Sequence, residues 1–360
     1  MSTIIGQPLD ALDSPQLLLD LDILDANLAR LRAASQERRV DLRVHFKSLK
    51  CGSLARYIME AGVKRFLCAK VNEAEVLANS SVNDILVANQ IIGQPKLRRL
   101  AEVARRSLVR VCVDDAGNVA DMAQTAREVG VTLGVLVEVD VGMKRCGVEP
   151  GTPALELARR IAAEPGLRFD GLQGYDGHLQ LSSDLADKRT RCLAGLEQLV
   201  GTRRLLEQAG IPVSLVTGGG TGTWEWVAGY EGVTEIQPGS FLLMDCAYHA
   251  VRPEFGCSLS VLATVISRRA GWYVLDAGSK AISQDFGTPI IKGHPEERLL
   301  RLAEEHGKVE AAGTEPKVGA RREVIPAHCC ATMNLHRRCI AVRKGRVVAD
   351  WPIEASGRYD

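Results

Sequence analysis

Leu42-Arg43-Val44-His45-Phe46-Lys47-Ser48-Leu49-Lys50-Cys51 is the stretch from which the fold is read outward. Apolar and polar side chains alternate through Leu42, Val44 and Phe46, a period of two that favours a short strand over a helix. The strand ends on Lys47, and a helical stretch over Cys51–Glu60 is expected soon after. Upstream, Gln16–Asp20 reads as an apolar strand. Asp22 or Asp25 suits the cap of a following helix whose Leu24, Leu28 and Leu31 share one face.

Downstream the strand–helix rhythm repeats. Strands are expected over Arg65–Ala69, Asp84–Ala88, Leu108–Val113, Leu133–Val139, Arg168–Tyr175, Val213–Thr217 and Thr234–Gln237. Helices are expected between them over Glu73–Ala78, Lys96–Arg105, Ala116–Val129, Pro153–Ala163 and Ala186–Ala209. Near-continuous apolar strands alternating with amphipathic helices imply a parallel sheet. About eight such units imply an α/β fold of the closed (β/α)8, TIM-like kind, with the site at the strand ends. After Phe241 the pattern becomes antiparallel strand, with Glu296–His306 the clearest helical stretch. The expected division is a barrel over 20–250 and a β-rich domain over 251–360, joined by 1–19.

The chain has 360 residues, 46% hydrophobic and 25% charged, as in an ordinary globular protein. Its net charge of +1 gives no reason to expect nucleic acid or an anionic membrane as partner. No apolar run approaches the roughly 20 residues that span a bilayer. Met1–Gly6 has neither a basic region nor a long apolar core, so no signal peptide is expected. Ten cysteines are too dilute for a disulfide scaffold, which implies free thiols in a reducing cytoplasm.

Several strand ends carry chemistry. A lysine leaving a strand into a barrel mouth can be partly desolvated, which frees the amine for imine formation. Lys47 has that position, although the decapeptide alone fits a solvated lysine better. Thr217-Gly218-Gly219-Gly220-Thr221-Gly222-Thr223 lets backbone N–H groups converge on an anion, with the helix-like Trp224–Ala228 behind it. It matches neither the Walker A nor the GxGxxG spacing. Gln237-Pro238-Gly239-Ser240 is a second anion-friendly turn, and late-strand loops are where such barrels place phosphate.

Arg145, in the loop after Val137–Val141, suits a phenolate or carboxylate. Tyr175, Asp176 and His178 gather three polar groups within four residues. In Pro326–His336, read as extended, His328 and Cys330 point one way and Cys329 the other. An imidazole and a thiolate can grip a divalent metal from one face, leaving positions for water or substrate.

In order, these motifs resemble the D-threonine aldolases and their relatives, pyridoxal-phosphate enzymes of the alanine-racemase fold. The motifs are H-F-K, E-V-D-V-G-x-x-R-C-G-V, G-L-Q-G-Y-D-G-H, T-G-G-G-T-G, Q-P-G-S and H-C-C-x-T-x-N-L-H. The resemblance runs from about Pro15 to Gly357. It implies a homodimer, Lys47 as the Schiff-base residue and Arg145 beside the ring oxygen of pyridoxal 5'-phosphate. It implies Tyr175, Gly219, Gly220, Thr221, Gly222 and Ser240 around the cofactor, and His328 and Cys330 as metal ligands.

The expected activity is a lyase cleaving a β-hydroxy-D-amino acid to glycine and an aldehyde. Alternatives are a metal-assisted D-serine or 3-hydroxyaspartate dehydratase, an amino-acid racemase, or a non-catalytic carrier of the cofactor. Where this chain has Cys330, the aldolases carry aspartate and the dehydratases cysteine. After the tyrosine, aldolases carry histidine at the next position and again six positions on. This chain has Asp176 and Leu181 there, and its own imidazole at His178. Asp176 and His178 are therefore the further catalytic candidates. The thiolate of Cys330 favours zinc over manganese or magnesium.

Overall fold

The structure is a computed structural model that describes residues 4–311, 313 and 315–360. Met1–Thr3, the start of the stretch read for a signal peptide, lies outside the described residues. The chain opens with strand β1 (Gln16–Asp20) and a helix, Leu21–Glu37. Eight parallel strands then close into a barrel: β2 (Asp41–His45), β3 (Arg65–Cys68), β4 (Asp84–Val87), β5 (Leu108–Val113), β6 (Leu133–Glu138), β7 (Leu167–Gly174), β8 (Leu215–Gly218) and β9 (Glu235–Ile236). β9 returns to β2 through the register Asp41 to Glu235 and Leu42 to Ile236.

The expected strands and the observed ones agree to within two residues at nearly every end. The strands are legible because helices cover them, so both faces must be apolar: all six positions of β6 are buried. The helices between them have ordinary causes. Asp115 and Asp184 cap Ala116–Val129 and Leu185–Gln208, their carboxylates accepting backbone N–H groups of the first turn.

Residues two apart on a strand share a face, so the barrel interior is layered. Arg43, Asp84, Arg110, Asp170 and Glu235 form a charged layer where the strands begin. Leu67, Leu86, Cys112 and Leu136 form an apolar cluster one step further along. Glu138 and His45 follow towards the strand ends.

The remaining strands are β10 (Leu259–Arg269), β11 (Trp272–Leu275), β12 (Ile290–Ile291), β13 (Arg298–Leu302), β14 (Gly307–Glu310), β15 (Arg321–Ile325), β16 (Arg338–Arg343) and β17 (Arg346–Pro352). With β1 they form a sheet of nine strands among the described residues, ordered β13-β14-β11-β10-β1-β16-β17, with β15 and β12 branching from β10. β1 runs antiparallel to β10 and parallel to β16. Its Leu18 joins Leu12, Leu262, Ile340, Val342 and Val347 in one apolar core.

Two expectations fail here. Glu296–His306 is not a helix: it holds β13, which pairs antiparallel with β14. Leu299 and Leu302 are buried while Leu300 is exposed, and a register shift between Leu299 and Arg301 gives the strand a spacing that imitates a helix. The segment after Pro326 is not extended either, because Cys329–Leu335 is a helix with His328 at its N-cap.

By compactness the chain forms two units. One, the barrel unit, comprises Arg32–Lys47, Leu54–Gly239 and Arg358–Asp360. The other, the sheet unit, comprises the segment ending at Leu31, Ser48–Ser53 and Ser240–Gly357. The chain thus leaves the barrel unit once after Lys47 and once after Gly239.

Candidate active site

Lys47 lies in a single 3-10 turn, Phe46–Ser48, directly after β2. Its ammonium stands 5.6 Å from the centre of the Tyr175 ring, and the Arg145 guanidinium stands 5.3 Å from the same ring. Three residues far apart in sequence are thereby gathered at the C-terminal ends of β2, β6 and β7. An aromatic face tolerates both cations, since its quadrupole attracts positive charge.

Two neighbours not singled out in the sequence complete this cluster. Glu138, the last residue of β6, is 3% exposed. It accepts a hydrogen bond from Gln90 Nε2 at 2.6 Å and lies 3.8 Å from Arg145. Burial raises its carboxyl above the usual range despite Gln90 and Arg145. His45 is held neutral by burial and by the positive charge of Lys47 and then Arg145. The sequence signal for Glu138 was a carboxylate inside an otherwise apolar strand, Leu133-Gly134-Val135-Leu136-Val137-Glu138.

The glycine turn has a support of its own. Gln180 Oε1 accepts the N–H of Gly222 at 2.8 Å, while its Nε2 donates to Asp176 Oδ1 at 2.8 Å and to Thr223 Oγ1 at 3.0 Å. A Cβ on Gly222 would stand 2.0 Å from the Gln180 carbonyl, so only glycine fits. Gly219 has φ +68°, the left-handed region that favours glycine. Thr221 is buried between them.

Asp176 is therefore committed to this support. It is buried, its carboxyl is raised by that burial, and Gln180 and Cys192 hold it. His178 packs its Nε2 edge 3.6 Å from where a Cβ on Gly142 would be, in the loop that carries Arg145. Its Nδ1 is buried without a hydrogen-bond partner among the described residues. Burial and the Arg191 charge lower its pKa, so the ring is held neutral and able to accept a proton.

In the sheet unit, Cys330 Sγ lies 3.0 Å from Ser48 Oγ and 3.7 Å from Ser240 Oγ. His328 Nδ1 lies 2.8 Å from Asp285 Oδ2, and its pKa is raised to about 9: Cys330 and Asp285 outweigh the opposing effect of burial. Against the expectation that it would point the opposite way, Cys329 Sγ lies 3.9 Å from Cys330 Sγ. It is fully buried, its thiol is held protonated by that burial, and its N–H donates to Asp245 at 2.7 Å. His328 and Cys330 do come together, but across an N-cap and the first helical turn, not by strand alternation.

The residues suit the groups the sequence resemblance implies. Two cations on one tyrosine, beside a carboxyl pushed towards its neutral form, leave net positive charge for an anionic ring oxygen. Backbone without side chains in the glycine turn suits a phosphate. One imidazole and one thiol, flanked by two hydroxyls, suit a soft divalent cation with open positions.

The family described as alanine racemase, N-terminal domain, matches residues 19–246, and the putative serine dehydratase domain matches 258–342. A D-threonine aldolase from Arthrobacter sp is 37% identical, over 98% of this chain and 95% of the relative. The chain belongs to the D-threonine aldolase family. The crystal structure of a family member, the D-threonine aldolase from Filomicrobium marinum, has a TM-score of 0.96 at 36% identity and covers 99% of each chain.

The D-threo-3-hydroxyaspartate dehydratase from Delftia sp. HT23 has a TM-score of 0.83 at 27% identity, covering 96% of this chain and 98% of that one. That dehydratase has also been solved with a histidine changed to alanine and with a cysteine two positions further on changed to alanine, the latter in the metal-free form. The protein is thus a lyase on the alanine-racemase fold, whose enzymes use pyridoxal 5'-phosphate. Among the described residues, no helix is long and apolar enough to cross a membrane.

Proposed function

We propose that this lyase cleaves a β-hydroxy-D-amino acid between Cα and Cβ, giving glycine and an aldehyde. The observation that carries this is the meeting of Lys47 and Arg145 on the Tyr175 ring. The His328–Cys330 pair adds a task that a racemase would not need. A carrier of the cofactor would need Lys47 but not the His328–Cys330 pair. The dehydratase reading is kept because Cys330 stands where that branch of the family carries cysteine.

Pyridoxal 5'-phosphate, when bound, supplies an electron sink for the pair left at Cα. Lys47 would hold it covalently, Arg145 would face its ring oxygen, and Tyr175 would flank it. The turn through Gly219, Gly220, Thr221 and Gly222 would hold its phosphate, with Ser240 as a further contact. His328 and Cys330 would hold one divalent cation, zinc favoured by the thiolate, to supply Lewis acidity towards the β-hydroxyl.

The chain's own residues then divide the proton work. Lys47 would be the amine placed to carry a proton to or from Cα. His178, neutral because burial and Arg191 disfavour its cation, is suited to take the β-hydroxyl proton. Asp176 acts through Gln180 on the glycine turn. Among the described residues none of the ten cysteines is in a disulfide, as a reducing cytoplasm would leave them. We expect a homodimer, which sedimentation would test.

Incubation with D-threonine, D-serine and D-3-hydroxyaspartate, with products identified by mass, is the deciding experiment. Glycine with an aldehyde is expected. Ammonia with an oxo acid would establish the dehydratase instead, and inversion without cleavage the racemase. Chelation should abolish cleavage while leaving cofactor bound. Cys330→Ala should mimic chelation, and Cys329→Ala should not.

A further inference from the structure

The His328 imidazole is held by more than a metal reading requires. His328 occupies the N-cap of Cys329–Leu335, yet its side chain makes no capping hydrogen bond. The ring turns instead to two consecutive residues of the loop before β12. Asp285 Oδ2 meets Nδ1 at 2.8 Å along the ring's edge. Phe286 stacks on its face, with centroids 3.9 Å apart and planes inclined by 15°. Phe286 is 44% exposed, so burial does not explain a phenylalanine there.

The loop carrying this pair is laced to the same helix. His336 Nε2 donates to the Ala281 carbonyl at 2.8 Å, and Ser283 N–H donates to Thr332 Oγ1 at 3.0 Å. Ala327 N–H donates to the Ser283 carbonyl at 3.3 Å. The Ser283 hydroxyl donates to the second oxygen of Asp285. Both carboxylate oxygens of Asp285 are thereby engaged, and the loop and the helix start form one braced piece.

A neutral imidazole carries one proton on two nitrogens, and the hydrogen bond at one fixes the other as the lone pair. Nδ1–H donates to Asp285, so when a metal cation displaces the second proton of the charged ring the lone pair is left on Nε2. Asp285 sits on the opposite edge of the ring, so it is not placed to share an ion with Cys330. Stacking on Phe286 stops the ring from turning out of that plane.

We infer that Asp285 and Phe286 are positioning residues that hold His328 as the Nδ1–H tautomer and aim its Nε2 at a divalent cation shared with Cys330. This rests on the metal reading above and adds to it which nitrogen binds and what selects it. Such outer carboxylates orient a ligand ring and raise its basicity, and removing them commonly weakens metal binding 10- to 100-fold.

The test is zinc affinity by chelator competition on the cofactor-loaded protein, comparing wild type with Asp285→Ala, Asp285→Asn, Phe286→Leu and Cys330→Ala. Asp285→Ala should bind zinc about 10- to 100-fold more weakly. Asp285→Asn, which keeps the shape and serves if the alanine variant misfolds, should fall in the same direction, and Phe286→Leu by a smaller factor. Cofactor absorbance and far-ultraviolet circular dichroism should not change. With saturating cobalt, the thiolate-to-cobalt band should persist in Asp285→Ala and vanish in Cys330→Ala.

Wild-type zinc affinity in both Asp285 variants, with zinc lost in Cys330→Ala, would overturn the positioning role and leave the metal site standing. Zinc retained in Cys330→Ala, or absent from wild type, would overturn the metal site and this inference with it.

Discussion

Where the barrel strands begin, Arg43 is 1% exposed and lies between two carboxylates, 2.7 Å from Glu235 and 2.8 Å from Asp84. Asp84 is shared with Arg110, which also holds Asp170. Where the strands end, Glu138 is equally buried, but its nearest partner is the neutral amide of Gln90, and Lys47 and Arg145 share an aromatic ring. The first end closes its charges on one another. The second pairs its cations loosely, with Glu138 3.8 Å from Arg145, and burial raises the proton affinity of that carboxyl. The difference separates a stability element from the candidate site made of the same residue types.

Four experiments set the two ends against each other. The largest effect on function is expected at the strand ends. Lys47→Ala should cut turnover at least ~10³-fold and abolish the cofactor's visible absorbance after dialysis, with an unchanged melting temperature. Cofactor found attached to Lys50 or Lys70 would move the site.

At the strand starts the effect should fall on stability instead. Arg43→Met takes the arginine from buried Glu235 and leaves Asp84 with Arg110, and should cost about 3–5 kcal/mol in chemical denaturation, leaving turnover per folded molecule intact. A loss of turnover at full stability would erase the distinction between the two ends.

A smaller effect is expected at the glycine turn. Gln180→Ala removes a net ~1 kcal/mol hydrogen bond to Gly222 and should weaken cofactor binding about fivefold by fluorescence titration. Unchanged affinity would show that the turn needs no support from Asp176 and Gln180.

The smallest effect is a difference in sign with pH. Burial raises the Glu138 carboxyl, so the native state keeps a proton the unfolded chain has released. Its contribution to stability therefore falls as pH rises from about 4 through the folded value. Burial also opposes ionisation of Asp84, but Arg43 and Arg110 prevail and lower its carboxyl. Its contribution is complete above about pH 4 and is lost as pH falls through the folded value. Glu138→Gln should thus be neutral or stabilising at pH 7 and indistinguishable from wild type in acid. Asp84→Asn should destabilise at pH 7 and converge with wild type in strong acid. Denaturation midpoints at several pH values would reveal a shared sign, against this account, or opposite ones.

The sequence by itself determined the barrel, because strands covered on both faces must be apolar throughout and the helices over them must be apolar on one stripe. Lys47, Arg145, Tyr175 and the glycine turn were legible for a related reason: each sits where a strand ends, and a parallel barrel brings all its strand ends to one side. Tertiary structure decided what periodicity does not encode. Glu296–His306 looked helical because a register shift breaks the two-residue alternation of β13. His328 and Cys330 meet because a helix begins between them, so the expected pair was reached through a different backbone. Glu138, Gln180 and Asp285 went unread because each depends on a partner distant in sequence, 48, 42 and 43 residues away at Gln90, Gly222 and His328. Local pattern carries which face of an element is buried. Which polar group meets which is settled only when the chain folds, by the need of each buried donor and acceptor to find a partner.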